Sequence, residues 1–155
     1  MTALNNDVMR NLFISILLIV PNLCLAQAYS TTYEHNAFLV KDVDRAAAFY
    51  LDILQLEEIE VPGAPETRRW FSLGGNLQLH LIEGDNSRLI HDKSVHMACR
   101  TSNLDALMAE LRKRNYPFES WQGEKNTFNV RADGIHQIYL QDPDGYWLEI
   151  NDTPR

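Results

Sequence analysis

Three histidines and one glutamate have residue types and spacings that suit a metal ion. His35 and His96 each begin a short apolar segment and lie 61 residues apart, while His80 and Glu149 lie near the ends of two others, 69 residues apart. Imidazole nitrogens and a carboxylate are donors that a borderline divalent cation accepts in proteins. The four residues are therefore candidate ligands, with Gln78 an alternative to His80.

These spacings belong to an internal repeat. The segment from 35 to 50 matches the segment from 96 to 111, and each predicts a strand, an Asx helix cap and an amphipathic helix. Further along, Trp70 matches Tyr139 and His80 matches Glu149. Each later part predicts a hairpin, because Gly74-Gly75-Asn76 and Asp142-Pro143-Asp144-Gly145 supply residues that tolerate the backbone of a tight turn.

The repeat predicts the fold class and the domain organisation. Each half is expected to form a βαβββ module, over about residues 33–83 and 94–152. A hairpin pair buries little surface alone, so the two modules should pack into a single α+β domain over 29–155. We predict a curved mixed sheet around a metal site.

Strand alternation predicts where the candidate ligands point. Side chains alternate between the two faces of a strand, so His96 opposes Met97 and Cys99, and Glu149 opposes Leu148 and Ile150. His35 and His80 alternate with apolar neighbours in the same way. All four are thus expected to face away from the helices and to converge on one concave surface.

Composition limits the partners. Hydrophobic residues make up 45% of the chain and charged residues 23%, which is typical of a globular protein with a core. The formal net charge of -7 argues against nucleic acid, because phosphates would be repelled. A small-molecule substrate is the partner we expect.

The first 28 residues resemble a secretory signal peptide. Arg10 precedes a mostly apolar run over 12–20, and small residues at Ala26 and Ala28 suit cleavage. We expect export to the periplasm or beyond, without stable membrane association after cleavage. Cleavage would leave Cys99 as the single cysteine, and its place on an apolar strand face predicts a core residue.

Four segments together resemble a known family. They are His35-Asn-Ala-Phe-Leu-Val-Lys-Asp-Val-Asp, Gly75-Asn-Leu-Gln-Leu-His80-Leu, Val95-His96-Met-Ala-Cys-Arg and Asp142-Pro-Asp-Gly-Tyr-Trp-Leu-Glu149-Ile. These segments look like the vicinal oxygen chelate superfamily of glyoxalases, bleomycin resistance proteins and extradiol dioxygenases. The resemblance covers about residues 33–152.

The resemblance implies an enzyme that binds a divalent metal, either Zn, Ni, Mn or Fe(II), and that commonly forms a homodimer. In a glyoxalase-like lyase or isomerase, the metal chelates substrate oxygens and stabilises an enolate-type intermediate during proton transfer. Glu149 or His80 would move the proton, and His80 departs from bacterial glyoxalase I, which has a second glutamate. The alternatives are an extradiol-type Fe(II) dioxygenase and a non-enzymatic, ligand-sequestering protein.

Other side chains are candidates for contacting substrate. Arg100 is expected to face the cavity and could hold a carboxylate or phosphate, and Gln78 lies on the ligand face. Trp147, with Trp70 and Trp121, could form aromatic walls. His91 is predicted to be solvated in the linker between the modules, and His136 to begin a strand near the pocket.

Overall fold

The computed structural model describes residues 29–154, so the predicted signal segment lies outside the described residues. From Tyr33 onward the chain forms one compact unit. Within 29–154, neither helix is long and apolar enough to cross a membrane.

Two four-stranded mixed sheets, each with one helix, make up the unit. The first module contains β1 (His35–Val40), α1 (Val43–Asp52), β2 (Glu58–Ile59), β3 (Arg68–Gly74) and β4 (Leu77–Glu83). The second contains β5 (His96–Arg100), α2 (Leu104–Lys113), β6 (Asn129–Val130), β7 (His136–Gln141) and β8 (Trp147–Asn151).

Both sheets have the same strand order, which confirms the predicted tandem βαβββ modules. The first strand of each module pairs in parallel with the last, giving the orders β1-β4-β3-β2 and β5-β8-β7-β6. The remaining pairs are antiparallel, as hairpins require. Consequently β1 and β5 are edge strands, and His35 and His96 each lie on an open edge beside the last strand of their own module, which carries His80 or Glu149.

The helices begin where the Asx residues predict. The side chain of Asp42 accepts a hydrogen bond from the backbone nitrogen of Arg45 at 2.9 Å, and Asn103 accepts one from Ala106 at 2.9 Å. The first helix ends at Asp52, and Gln55 has a φ of 53°, which an α-helix cannot contain. These caps orient each helix over the apolar face of the unit.

One hydrophobic core joins the two modules. Every strand except the two-residue β2 and β6 contributes to it, and the helices contribute one face each. The largest fully buried core side chains are Tyr50, Phe71, Leu79, Leu81, Leu111, Ile138, Leu140 and Leu148. Since the core takes this set of alternate side chains, the candidate ligands point to the other face of each sheet.

The turn at Asp142–Gly145 joins the second module to the first. The buried hydroxyl of Tyr50 donates to Asp142 at 2.8 Å, and the backbone nitrogen of Lys41 donates to Asp144 at 2.7 Å. Tyr146 stacks on Phe38 with ring centroids 4.0 Å apart. The Asp142–Gly145 turn and Tyr146 therefore link the second module to the first through hydrogen bonds and a ring stack.

Candidate metal centre

His96 and Glu149 face each other on neighbouring strands of the second sheet. His96 Nε2 lies 3.3 Å from Glu149 Oε2. The other ring nitrogen, Nδ1, donates to the carbonyl oxygen of Lys93 at 2.8 Å, so Nε2 is the ring nitrogen that faces the carboxylate. An imidazole nitrogen and a carboxylate oxygen at this distance form an arrangement suited to a shared cation.

Glu149 is held in place by several donors. The Tyr139 hydroxyl donates to Oε2 at 2.7 Å and the Asn151 amide to Oε1 at 2.8 Å. With its amide nitrogen toward the carboxylate, Gln137 adds contacts of 3.2 Å to both oxygens. The glutamate is only 6% exposed, so these bonds compensate for its lost hydration.

Arg131 is a member of this group that sequence reasoning missed. Its Nε and Nη2 atoms pair with Asp133, and Nη1 lies 3.6 Å from Glu149 Oε1. The hydrogen bond to Asp133 raises the pKa of Arg131, which keeps the guanidinium charged. The Arg-Ala-Asp-Gly segment reads as an ordinary turn, and only the packed loop brings Arg131 to the glutamate.

The first sheet carries a stack of three aromatic rings. His80 lies between Trp70 and His35, with centroid separations of 4.2 Å on both sides and interplanar angles of 11° and 14°. His80 Nε2 is 2.8 Å from Gln78 Oε1, and His35 Nδ1 contacts the carboxylate of Glu34. Burial, followed by the nearby His35, lowers the pKa of His80, which favours the neutral ring.

The predicted ligands therefore occur as two pairs. His35 and His80 are together on the first sheet, and His96 and Glu149 are together on the second. Among residues 29–154, no three His, Cys, Asp or Glu side chains are grouped so that they could hold one metal ion. Within residues 29–154 the four candidates therefore do not come together around one point, and each pair stays within its own module.

The donor types still fit a divalent metal. Each pair offers imidazole, and the second adds a carboxylate, which together suit zinc, nickel, manganese or ferrous iron. Hydrogen bonds from Tyr139 and Asn151 resemble the outer partners that commonly orient metal ligands.

The predicted substrate-contacting residues have different surroundings. Arg100 is exposed on a cleft of about 1270 Å³ that both modules line, where its Nη1 lies 3.5 Å from the Pro154 carbonyl oxygen. Trp147 is half-buried below Lys93, whose Nζ is 4.8 Å from the ring centroid. Trp121 is 43% exposed beside His96, so it is the tryptophan of the second module most accessible to a ligand.

The remaining histidines lie outside both pairs. His91 is half-buried against Tyr146, with ring centroids 4.2 Å apart, so the predicted solvated position is wrong. His136 begins β7 as predicted, and its Nδ1 bonds to Asp152 at 2.7 Å. Neither ring lies in a group that could hold a metal within the described part of the chain.

Comparison with known proteins identifies the family. The model of the Glyoxalase/Bleomycin resistance protein/Dioxygenase superfamily matches residues 32–150. The chain belongs to this superfamily, as the four sequence segments and the tandem modules both indicate. No curated protein matches the sequence.

Solved structures with the same fold carry different activities in their names. A glyoxalase family protein from Bacillus anthracis is 24% identical, with a TM-score of 0.62, covering 83% of this chain and 100% of that one. The fosfomycin resistance protein FosX from Listeria monocytogenes is 20% identical (TM-score 0.61; 81% and 96% covered). Lactoylglutathione lyase from Agrobacterium tumefaciens is also 20% identical (TM-score 0.56; 79% and 94% covered). These likenesses establish the fold alone.

Proposed function

We propose that this protein is a metal-dependent enzyme of the glyoxalase type that catalyses proton transfer on a small molecule with two neighbouring oxygen atoms. One observation carries the proposal: His96 Nε2 lies 3.3 Å from Glu149 Oε2, while Nδ1 of the same ring bonds to the Lys93 carbonyl oxygen. Two ligands bound to one ion at about 2.0–2.2 Å lie about 2.8–3.6 Å apart, so the pair has the spacing of adjacent ligands.

A second copy of the chain would complete the set. Both pairs lie beside the open edge strands β1 and β5, and apolar residues near the second edge are exposed, including Ile90 at 95% and Val95 at 79%. Open edges and exposed apolar side chains are features of surfaces that associate. In a two-fold dimer with β1 of one copy beside β5 of the other, the histidine pair of each copy would meet the His96–Glu149 pair of its partner. The dimer would then contain two complete sets of ligands.

Different residues of the chain would bind the metal and move the proton. When bound, the metal supplies a Lewis acid that stabilises negative charge on substrate oxygen. Glu149 is tied by Tyr139 and Asn151, so it serves as a fixed anionic ligand beside His35 and His96. His80 then accepts and returns the proton, and Gln78, 2.8 Å away, orients the ring.

A second candidate function is sequestration of a flat ligand. The stack of Trp70, His80 and His35 and the exposed Trp121 offer aromatic faces on which a planar molecule could lie. In this function no turnover is expected, with or without metal. The dioxygenase alternative uses His35, His96 and Glu149 as two histidines and a carboxylate around Fe(II).

Metal titration followed by activity assays tests the proposal. We expect calorimetry to give about one divalent ion per chain, since a dimer holds two complete sets. His35→Ala and His96→Ala should lose binding, and the control His136→Ala should retain it. Protein loaded with Zn, Ni, Mn or Fe(II) should isomerise a hemithioacetal.

The other outcomes each contradict the proposal. Oxygen-dependent catechol cleavage confined to the Fe(II) form would identify a dioxygenase. Tight ligand binding without turnover under every metal would identify a sequestering protein. Absence of metal binding by the wild-type chain would reject the metal site itself.

A further inference from the structure

The same repeat position holds an aromatic residue beside the last-strand ligand candidate in both modules. Trp70 is the cross-strand partner of His80 in the β3–β4 pair, and Tyr139 is the partner of Glu149 in the β7–β8 pair. Side chains on directly paired residues lie on the same sheet face and touch. The register therefore gives each candidate ligand one aromatic neighbour.

The aromatic neighbour contacts its partner differently in the two modules, by ring stacking on the imidazole and by a hydrogen bond to the carboxylate. His80 has an aromatic ring, and Trp70 stacks on it at 4.2 Å with nearly parallel planes. Glu149 is a carboxylate, and Tyr139 donates its hydroxyl hydrogen to Oε2 at 2.7 Å. A stacked indole restrains the plane of an imidazole, and a hydroxyl restrains the rotation of a carboxylate.

Each contact also acts on the atom that faces the other donor of the pair. Glu149 Oε2, which accepts from Tyr139, is the oxygen that lies 3.3 Å from His96 Nε2. His80 is held against His35, its pair member, by the indole on its opposite face. Removing either aromatic contact would free the ligand candidate to rotate away from its partner.

We propose that Trp70 and Tyr139 are repeat-related positioning residues that set the geometry of His80 and Glu149. The proposal deepens the proposed function and depends on it, because the geometry matters only if these side chains bind or act beside a metal. Neither aromatic residue touches the reacting atoms. Each acts through its cross-strand partner.

Tyr139→Phe tests the assignment by metal affinity, and Trp70→Leu tests it by turnover and ring orientation, because His80 moves the proton in the proposed function. Titration of metal-free, full-length protein should show that Tyr139→Phe binds about 10–100-fold more weakly than wild type; metal-loaded Trp70→Leu should lose a similar factor in kcat, and its crystal structure should show the His80 ring turned away from His35. Trp70→Phe keeps an aromatic face and should recover most of the turnover and the ring orientation. Tyr116→Phe, which loses a 2.7 Å hydrogen bond to the Gln141 carbonyl oxygen away from Glu149, should bind like wild type.

The unfolding midpoint in urea separates positioning from folding. All variants should remain folded at the titration conditions, and the losses of affinity should not follow the losses of stability. Wild-type affinity in Tyr139→Phe, or an equal loss in Tyr116→Phe, would overturn the assignment.

A crystal structure of metal-free Tyr139→Phe keeps the inference testable if the proposed function fails. Should the wild-type chain bind no metal, the metal proposal is rejected while the positioning contact can still be examined. We expect Glu149 Oε2 to leave its place opposite His96 Nε2 once the hydroxyl is absent. An unchanged carboxylate would show that Tyr139 does not position it.

Discussion

Glu149 and His80 occupy the same repeat position but have opposite surroundings. Glu149 is buried among donors from Tyr139 and Asn151, whereas His80 lies between two aromatic rings and has one polar contact, to Gln78. A carboxylate with both oxygens accepting hydrogen bonds suits a fixed ligand, and an imidazole held by stacked rings, with one polar contact, suits proton transfer.

Glu149→Gln is expected to keep the fold and weaken metal binding by at least about tenfold, because the cation loses an anionic ligand. The amide is nearly isosteric, but its NH2 group must face one of the donors to the carboxylate, so the free energy of unfolding should fall by about 1–3 kcal/mol without loss of the fold. Calorimetric titration checks the affinity, and Glu124→Gln removes an exposed charge from the same module as a control. Undiminished affinity in Glu149→Gln would contradict the ligand role.

Cys99 is partly buried and packs against the core, as the sequence predicts. Burial raises its pKa to about 11, which leaves little thiolate near neutral pH. In a Cys24→Ser background, a disulfide reagent should label the folded protein slowly and the urea-unfolded protein rapidly. Equal rates in the two states would show that the thiol is accessible.

The turn between β7 and β8 is the element that joins the modules. Asp142 accepts from the Tyr50 hydroxyl of α1 and from the backbone nitrogens of Asp144 and Tyr146, within its own turn. The corresponding turn in the first module, between β3 and β4, contains glycines with φ of 96° and 58° at Gly74 and Gly75 and has no equivalent carboxylate. The two hairpins thus differ in loop length, with two residues between paired positions in the first and five in the second, and only the second reaches the other module.

Asp142 should give stability a characteristic pH dependence. Burial raises its pKa despite the hydrogen bonds it accepts, so the folded state holds the proton more tightly than the unfolded state. That contribution is present at acidic pH and is lost as the pH rises through the raised pKa.

Urea unfolding of wild type and of Asp142→Asn, repeated from acidic to neutral pH, measures this contribution to stability. The stability of wild type relative to the variant should fall with increasing pH, because the amide does not titrate. A difference that is constant or rises with pH would contradict the assigned direction. Groups such as Glu58 and Asp152, whose pKa values are lowered, change the stability of wild type and variant alike. Their effect therefore cancels in the difference between the two proteins.

For the whole molecule, the separation of the His35–His80 pair from the His96–Glu149 pair predicts that two variants, each lacking a different pair, can form a complete metal site together. One variant would carry His35→Ala and His80→Ala, and the other His96→Ala and Glu149→Gln. Refolded together, they should recover about a quarter of the wild-type metal sites, since half of the pairs are mixed and each mixed pair has one complete set.

Each variant alone should bind no metal, and sedimentation should show dimers of both. Recovery near zero in the refolded mixture would mean that the modules of a single chain come together to complete the set.

Export is a second property of the whole chain, and we propose it from the 1–28 segment. The protein isolated from its native cells should begin at Gln27 or Tyr29, which N-terminal sequencing can establish. An intact N-terminus in the cytosol would reject export.

The sequence by itself determined the elements, their caps and the faces of the strands. Alternation around His96 and Glu149, the Asx residues at 42 and 103 and the repeat are local patterns, and they predicted the tandem modules and the side of each sheet that carries polar groups. They could also pair His35 with His80 and His96 with Glu149, because each pair belongs to one module.

The tertiary structure decided how the pairs relate to each other and what surrounds them. The modules are joined by contacts such as Tyr50–Asp142 and Leu39–Tyr146, which link residues 92 and 107 positions apart and leave no local signature. The same holds for Arg131, which reaches Glu149 only after its loop has packed. Local periodicity specifies the face of the strand from which a side chain projects. Which side chains of the two sheets come close together depends on the packing of the whole core.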